Sequence, residues 1–173
     1  RTITSREACG ALGVGRRAPR IRKKMDDTTY MRMALEEAAL AAKEEEVPVG
    51  AVLVYEGNVL TRDHNRMIQQ KNPLAHAELL TLLAAVPHHP NRWLLDSVLY
   101  VTLEPCAMCA TALVLSRVKR LVFGAFDPKA GACGSVFNLA ASPQLNHRLE
   151  ITSNILQDEA SRLLKDFFQE LRR

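Results

Sequence analysis

Residues 97–116 read SVLYVTLEPCAMCATALVLS, and this stretch indicates the fold class. Residues 97–103 are mainly apolar and are predicted to form a buried strand. Pro105 then favours the start of a helix over residues 106–116, because proline has no N–H and the first helical turn does not need one. A strand that leads directly into a helix is typical of α/β proteins.

The segments on either side continue this alternation of strands and helices. A first helix is predicted to begin at Asp26, Asp27 or Thr28, any of which can act as its N-cap. Its buried face is carried by Met31, Leu35, Ala38 and Ala42. The other predicted elements are strands at 47–55, 59–63 and 118–123, helices at 75–86 and 154–172, and a loop at 127–135. This order predicts a three-layer α/β/α domain with a mixed sheet of about five strands flanked by helices.

Length and composition exclude several classes of protein. The chain has 173 residues, of which 47% are hydrophobic and 24% charged, as expected for one globular domain. It contains no run of 18 apolar residues, and its first residues lack the apolar core of a secretory signal. Four unevenly spaced cysteines do not make a disulfide scaffold. A reduced, cytoplasmic compartment is therefore expected.

The positive charge is concentrated at the N-terminus. The chain carries a net charge of +4, but residues 1–24 alone carry +7, from eight Lys and Arg against one Glu, which leaves −3 for the rest. The basic pI therefore does not by itself indicate a nucleic-acid partner. Residues 1–24 are predicted to be a disordered tail, with an organelle transit peptide and an RNA-contacting arm as alternatives. Residues 25–173 are predicted to form the single domain.

Three residues of metal-ligand type stand at the starts of two predicted helices. His76 begins one helix, and Cys106 and Cys109 lie in the first turn of another, with both sulfurs on one side. The helix N-terminus is expected to lower the pKa of these thiols. Two thiolates and one imidazole suit Zn²⁺, and three protein ligands leave a fourth position open, as in catalytic zinc sites.

Glu78 indicates what the open position is for. It follows His76 by two residues in an otherwise apolar segment. A carboxylate there can take a proton from a metal-activated water and pass it on. The alternatives are that Glu78 is only a helix N-terminal charge, that the two cysteines are a redox pair, or that Cys133 closes a structural zinc site.

His76-Ala77-Glu78 and Pro105-Cys106-Ala107-Met108-Cys109 together match the signature of zinc-dependent nucleobase deaminases. The resemblance extends to the bacterial-type tRNA adenosine deaminases over about residues 28–172. It is carried by the segments 47–54, 64–66, 75–78, 99–109, 122–125, 131–135, 146–148 and 166–168.

This resemblance implies a cytidine deaminase-like fold and one Zn²⁺ per subunit, with no organic cofactor. It implies hydrolytic conversion of adenosine to inosine at the wobble position of a tRNA anticodon, with Glu78 as the proton shuttle. The expected partners are the anticodon stem-loop of a tRNA and a second copy of the chain in a homodimer. No association with a membrane is expected.

The same resemblance implies three substrate contacts, at the Asn65 side chain, the Ala77 backbone N–H and the Asp127 carboxylate. Asp127 is expected near the ribose of the extruded nucleotide, where a carboxylate can accept from a 2′-hydroxyl. The alternatives are turn-forming roles for Asn65 and for Asp127 before Pro128. Phe126 departs from expectation, because a polar residue would be natural there beside RNA.

Two other functions remain open at this stage. The first is a deaminase of a free base or nucleoside, of guanine or cytosine type, and the acidic core is compatible with a small neutral substrate. The second is an inactive RNA-binding subunit that keeps zinc for structure. Such a subunit is expected to lack the shuttle carboxylate, which this chain has at Glu78.

Overall fold

The computed structural model describes residues 26–172, so the prediction for residues 1–24 lies outside the described residues. The helices are α1 (Asp27–Lys43), α2 (Ala77–Ala85), α3 (Ala107–Leu115) and α4 (Gln157–Glu170), and a 3₁₀ turn (Val86–His88) follows α2. The strands are β1 (Gly50–Tyr55), β2 (Asn58–His64), β3 (Val98–Leu103), β4 (Arg120–Ala125) and β5 (Glu150–Thr152). The predicted helices and strands are all present in the predicted order, and β5, between β4 and α4, is an additional strand that was not located from the sequence.

The five strands form one mixed sheet in the order β2-β1-β3-β4-β5. Strand β1 pairs antiparallel with both β2 and β3, whereas β3, β4 and β5 run parallel. Glu56 and Gly57 join β1 to β2 with positive φ angles of 49° and 74°, as a tight hairpin turn requires. The predicted mixed sheet is therefore confirmed.

Helices cover both faces of the sheet and create two apolar cores. Along β3, Leu99 and Val101 face a core shared with α2 and α3, whereas Tyr100 faces a second core shared with α1. This alternation follows from the period of two in a strand. Both faces are buried, which explains why the strand sequences are nearly continuous in apolar residues.

Helix α1 is fixed at its start by the N-cap that the sequence predicted. The Asp26 carboxylate accepts a hydrogen bond from the backbone N–H of Thr29 at 2.8 Å. The neighbouring Asp27 pairs with Arg120 of β4 at 2.6 Å and accepts from the Tyr100 hydroxyl at 2.8 Å.

None of the helices in residues 26–172 combines the length and the hydrophobicity that a membrane-spanning helix needs.

The sheet topology brings distant segments to one edge. Because β3 and β4 are parallel, the residues that follow them, Glu104 onward and Phe126 onward, emerge side by side. Strand β2 also ends at this edge, since Gly50 pairs with His64 in one register and Ala51 pairs with Val101 in the other. Side chains that follow β2, β3 and β4 therefore meet there.

Candidate active site

His76, Cys106 and Cys109 converge at this edge of the sheet. His76 is the N-cap residue of α2 and Cys106 that of α3, and Cys109 lies in the first turn of α3. The Nδ1 atom of His76 lies 3.7 Å from the Sγ of Cys106 and 3.5 Å from that of Cys109. The structure thus brings together the three residues predicted as metal ligands.

The spacing of these atoms fits a tetrahedral metal ion. A zinc ion with ordinary Zn–N and Zn–S bonds holds its nitrogen and sulfur ligands about 3.6 Å apart. The three ligand atoms all lie within 4.8 Å of one another, and no further His, Cys, Asp or Glu among residues 26–172 joins the group. Both cysteines are free thiols, and Cys133 lies outside the group. The geometry therefore favours an open three-ligand site over a closed site or a disulfide.

The two thiols of the group differ in acidity. Hydrogen bonds from Cys109 and His76 lower the pKa of Cys106 to about 4. The hydrogen bond to Cys106, together with burial, raises the pKa of Cys109. The helix N-terminus was expected to lower the pKa of both thiols, whereas the two shift in opposite directions, because the hydrogen bond between them favours the Cys106 thiolate and opposes ionisation of Cys109. Coordination of a cation removes this opposition.

Glu78 lies in the first turn of α2 next to the metal-ligand group. Its side chain is only 4% exposed, and it is in hydrogen-bonding contact with Cys109. Burial raises the pKa of the Glu78 carboxyl. A carboxyl group that gains and loses its proton closer to neutral pH is suited to proton transfer.

Asn65 and Ala77, which were both predicted to contact substrate, contact each other. Asn65 follows β2 and is 5% exposed, and its Oδ1 accepts a hydrogen bond from the Ala77 N–H at 2.9 Å. This bond gives the Ala77 N–H a partner within the protein and leaves the side-chain NH₂ of Asn65 as the group available for a substrate. The substrate roles of both residues stay predictions.

Asp127 begins the loop after β4 and shapes its first turn. Its Oδ1 accepts from the N–H groups of Lys129 at 2.9 Å and Ala130 at 3.3 Å. The turn-forming alternative for Asp127 is therefore confirmed. Its predicted contact with a ribose stays a prediction, and a carboxylate has acceptor sites left for it.

Sequence reasoning missed Glu104, which organises the same loop. Its buried carboxylate accepts from the N–H groups of Asp127 at 3.0 Å, Cys133 at 2.9 Å and Ser135 at 3.0 Å, and from the Ser135 hydroxyl. Burial raises the pKa of Glu104, but these hydrogen bonds outweigh burial and lower it overall. The available signal was a single acid inside the apolar run before Pro105.

The loop is also held against the turn that carries Cys106. The Ala132 N–H donates to the Pro105 carbonyl at 2.8 Å, and Gly131 forms a β-bridge with Cys106. A Cβ on Gly131 would collide with the Glu104 carboxylate and lie 2.6 Å from the Asp127 carbonyl. Glycine is therefore required for this close approach.

A family model for MafB19-like deaminases matches residues 25–172. The chain belongs to this deaminase family. The tRNA-specific adenosine deaminase of Bacillus subtilis is 46% identical over 147 residues, which are 85% of this chain and 91% of that protein. The tRNA-specific adenosine deaminase of Haemophilus influenzae is 47% identical over 156 residues, 90% of each chain.

Solved structures of other deaminases have the same fold as this deaminase. One, from biochemical and structural studies of A-to-I editing by tRNA:A34 deaminases at the wobble position, has a TM-score of 0.76 at 39% identity and covers 79% of this chain and 99% of that one. The guanine deaminase of Nitrosomonas europaea has a TM-score of 0.67 at 25% identity, covering 81% and 83%. The predicted resemblance to the tRNA adenosine deaminases and the cytidine deaminase-like fold are confirmed.

Proposed function

We propose that this deaminase converts adenosine to inosine at the wobble position of a tRNA anticodon. The observation that carries the proposal is the open His76–Cys106–Cys109 group with the buried Glu78 beside it. The names of the relatives, together with the large share of this chain that they match, support the choice of adenosine in tRNA. Wobble-position adenosine lies in an unpaired loop, so its base can be extruded at little cost.

The proposal includes one Zn²⁺ per chain, held by His76 Nδ1 and the two sulfurs. Zinc supplies Lewis acidity, which lowers the pKa of a water molecule and supports its attack on the substrate. The three ligands come from the starts of α2 and α3. Helix α2, which His76 caps, also carries Glu78.

Glu78 moves the protons in the proposed reaction. It accepts one proton from the attacking water and donates it to the ring nitrogen beside the carbon that bears the amino group. It then transfers the second water proton to the amino group, which leaves as ammonia while the carbon–oxygen bond becomes the carbonyl of inosine. The raised pKa of Glu78 suits a group that must both accept and donate.

Asn65, Ala77 and Asp127 complete the proposed pocket. The Asn65 NH₂ is positioned to donate to the extruded nucleotide, because the other end of the amide is held by Ala77. The Ala77 N–H, next to His76, donates to Asn65 and so supports the substrate by orienting the Asn65 amide. Asp127 presents a carboxylate for the ribose 2′-hydroxyl, the group that distinguishes RNA from DNA.

A homodimer that acts on the anticodon stem-loop in the cytoplasm is the proposed biological form. Leu83 of α2 and Leu115 of α3 support self-association, because they are 70% and 72% exposed on neighbouring helices.

The runner-up function is deamination of a free base, which the similarity to a guanine deaminase supports.

One assay separates these functions. Purified zinc-loaded protein is incubated with an anticodon stem-loop carrying wobble adenosine, with free adenosine, and with free guanine and cytosine, and ammonia release is measured. We expect ammonia from the stem-loop alone. Release from guanine or cytosine but not from RNA would overturn the proposal, and RNA binding without any release would favour the inactive subunit.

A further inference from the structure

Phe126 is an aromatic residue held at the edge of the catalytic group. It directly follows β4, and Ala125 before it pairs in register with Leu103 of β3. Phe126 therefore emerges beside Glu104, and Glu104 precedes Cys106 by two residues. Its side chain is 42% exposed, although the residues of β4 that precede it are almost all buried.

The ring of Phe126 is anchored on one edge. It meets the ring of Phe123 at a centroid distance of 5.0 Å and an angle of 86°. Phe123 is fully buried in the core between the sheet and helices α2 and α3, the side of the sheet on which the metal-ligand residues lie. Such an edge-to-face contact fixes the orientation of the exposed ring.

The backbone at this position is fixed as well. Glu104 accepts a hydrogen bond from the N–H of Asp127, the next residue, at 3.0 Å. The Asp127 side chain in turn closes the first turn of the loop. A ring with little freedom left to lose can bind a planar partner at low entropic cost.

An exposed, pre-oriented aromatic ring beside an RNA-processing site has a specific use. Unpaired bases stack on aromatic side chains, and this is how proteins commonly hold single-stranded loops. We propose that Phe126 is a stacking platform for the base of a nucleotide that flanks the deaminated adenosine; this inference rests on the proposed function.

The flanking base fits this position better than the target base does. The target base must reach Glu78, which is only 4% exposed, whereas Phe126 is 42% exposed and stands one residue before the carboxylate proposed to meet the target ribose. A polar residue at this position would contact RNA through hydrogen bonds, whereas the aromatic ring of Phe126 can contact it by stacking on a base.

The test uses three variants with wild-type protein as reference. Phe126→Leu keeps apolar packing against Phe123 but removes the π face, and Phe126→Trp keeps a π face. Val59→Ala is the matched control, because Val59 is 36% exposed on β2 at the far side of the sheet. We expect Phe126→Leu to raise KM for the anticodon stem-loop by about five- to a hundredfold with kcat nearly unchanged. Phe126→Trp and Val59→Ala are expected to stay near wild type.

A cycle with modified RNA identifies the contacted base. The stem-loop is made with an abasic nucleotide immediately before or immediately after the target adenosine. If the abasic nucleotide is at the contacted position, the KM of wild-type protein is expected to rise as much as the KM of Phe126→Leu rises on intact RNA. The KM of Phe126→Leu is expected to rise little further on the abasic RNA.

Three results would overturn the inference. In one, Phe126→Leu has the KM of wild type; in another, its loss is the same on intact and on abasic RNA at both flanking positions; in the third, it changes the sedimentation coefficient, which would make the ring a protein–protein contact. Failure of the proposed function is distinct, because wild-type protein would then produce no inosine from any stem-loop.

Discussion

The side-chain oxygen of Asn65 accepts a hydrogen bond from the backbone N–H of Ala77 at 2.9 Å. The two residues lie 12 positions apart in sequence, one after β2 and the other at the start of α2. Ala77 stands between His76 and Glu78, so this bond ties the sheet to the segment that carries both a predicted metal ligand and the proposed proton shuttle.

Two substitutions of Asn65 distinguish the role of its side-chain oxygen from the role of its NH₂ group. Asn65→Ala leaves the buried Ala77 N–H without its acceptor and is expected to lower the free energy of unfolding by about 1–3 kcal/mol. Asn65→Asp keeps an acceptor but loses the NH₂ group, so it is expected to remain more stable than Asn65→Ala while kcat/KM for the stem-loop falls about tenfold or more. Urea unfolding and steady-state kinetics measure these effects. Full activity of Asn65→Asp would contradict the proposed substrate contact.

The cysteines differ in their expected effect on metal content. Cys106→Ser and Cys109→Ser each remove one of three ligands and are expected to lose bound zinc and activity. Cys133→Ala is the matched control, because Cys133 is a free thiol outside the ligand group and is expected to keep one zinc per chain. Elemental analysis of the purified variants measures this. Loss of zinc from Cys133→Ala would indicate a closed four-ligand site.

Gly131→Ala is expected to disturb the loop while leaving the three predicted metal-ligand side chains unchanged. The added Cβ would push the Glu104 carboxylate away from the N–H groups that it holds. We expect a loss of about 1–3 kcal/mol in the free energy of unfolding and a lower kcat/KM, with zinc retained. Ala130→Ser, at an exposed position of the same loop, is the control and is expected to be neutral. Equal behaviour of the two variants would show that the close approach at Gly131 is unimportant.

Acid is expected to weaken the contact between α1 and the end of β2. The Nε2 atom of His64 lies 3.1 Å from the Glu44 carboxylate, and this hydrogen bond lowers the pKa of Glu44 below its ordinary 4.5. Arg66 also pairs with Glu44, while Glu37 and Asp63 face His64. Because the unfolded chain binds the proton more readily, the stabilisation is present above pH 4.5 and is lost as pH falls through the lowered value.

Urea midpoints of wild type and Glu44→Gln, measured in steps from about pH 7 down to well below pH 4.5, test this expectation. The two proteins are expected to differ at the higher pH and to converge at the lower. Glu36→Gln is the control, since Glu36 pairs with Arg62 at 3.2 Å with 65% of its side chain exposed. A difference between wild type and Glu44→Gln that is unchanged by acid would refute the role of this carboxylate.

The parts of the site that were predicted from sequence depend on local spacing. Cys106 and Cys109 share one turn of α3, and Glu78 follows His76 by two residues, so their chemistry could be inferred before their meeting was seen. The alternation of apolar segments likewise predicted the layers, since each buried strand leads into a helix or a turn.

The parts that were missed depend on contacts between distant segments. Glu104 binds N–H groups 23 to 31 residues away, and no local pattern marks which amides a buried carboxylate will meet. Strand β5 has three residues, too few to show the period of a strand. The raised pKa of Cys109 arises from coupling to Cys106, which a helix N-terminus alone does not reveal.

The most direct test of hydrolytic deamination at the wobble position follows one oxygen atom. An anticodon stem-loop with wobble adenosine is incubated with the protein in water labelled with heavy oxygen, and the RNA is digested and analysed by mass spectrometry. We expect heavy-oxygen inosine at the wobble position with wild-type protein, and none with Glu78→Gln at undiminished zinc content. Unlabelled inosine, inosine at another position, or near-normal turnover by Glu78→Gln would contradict the central claim.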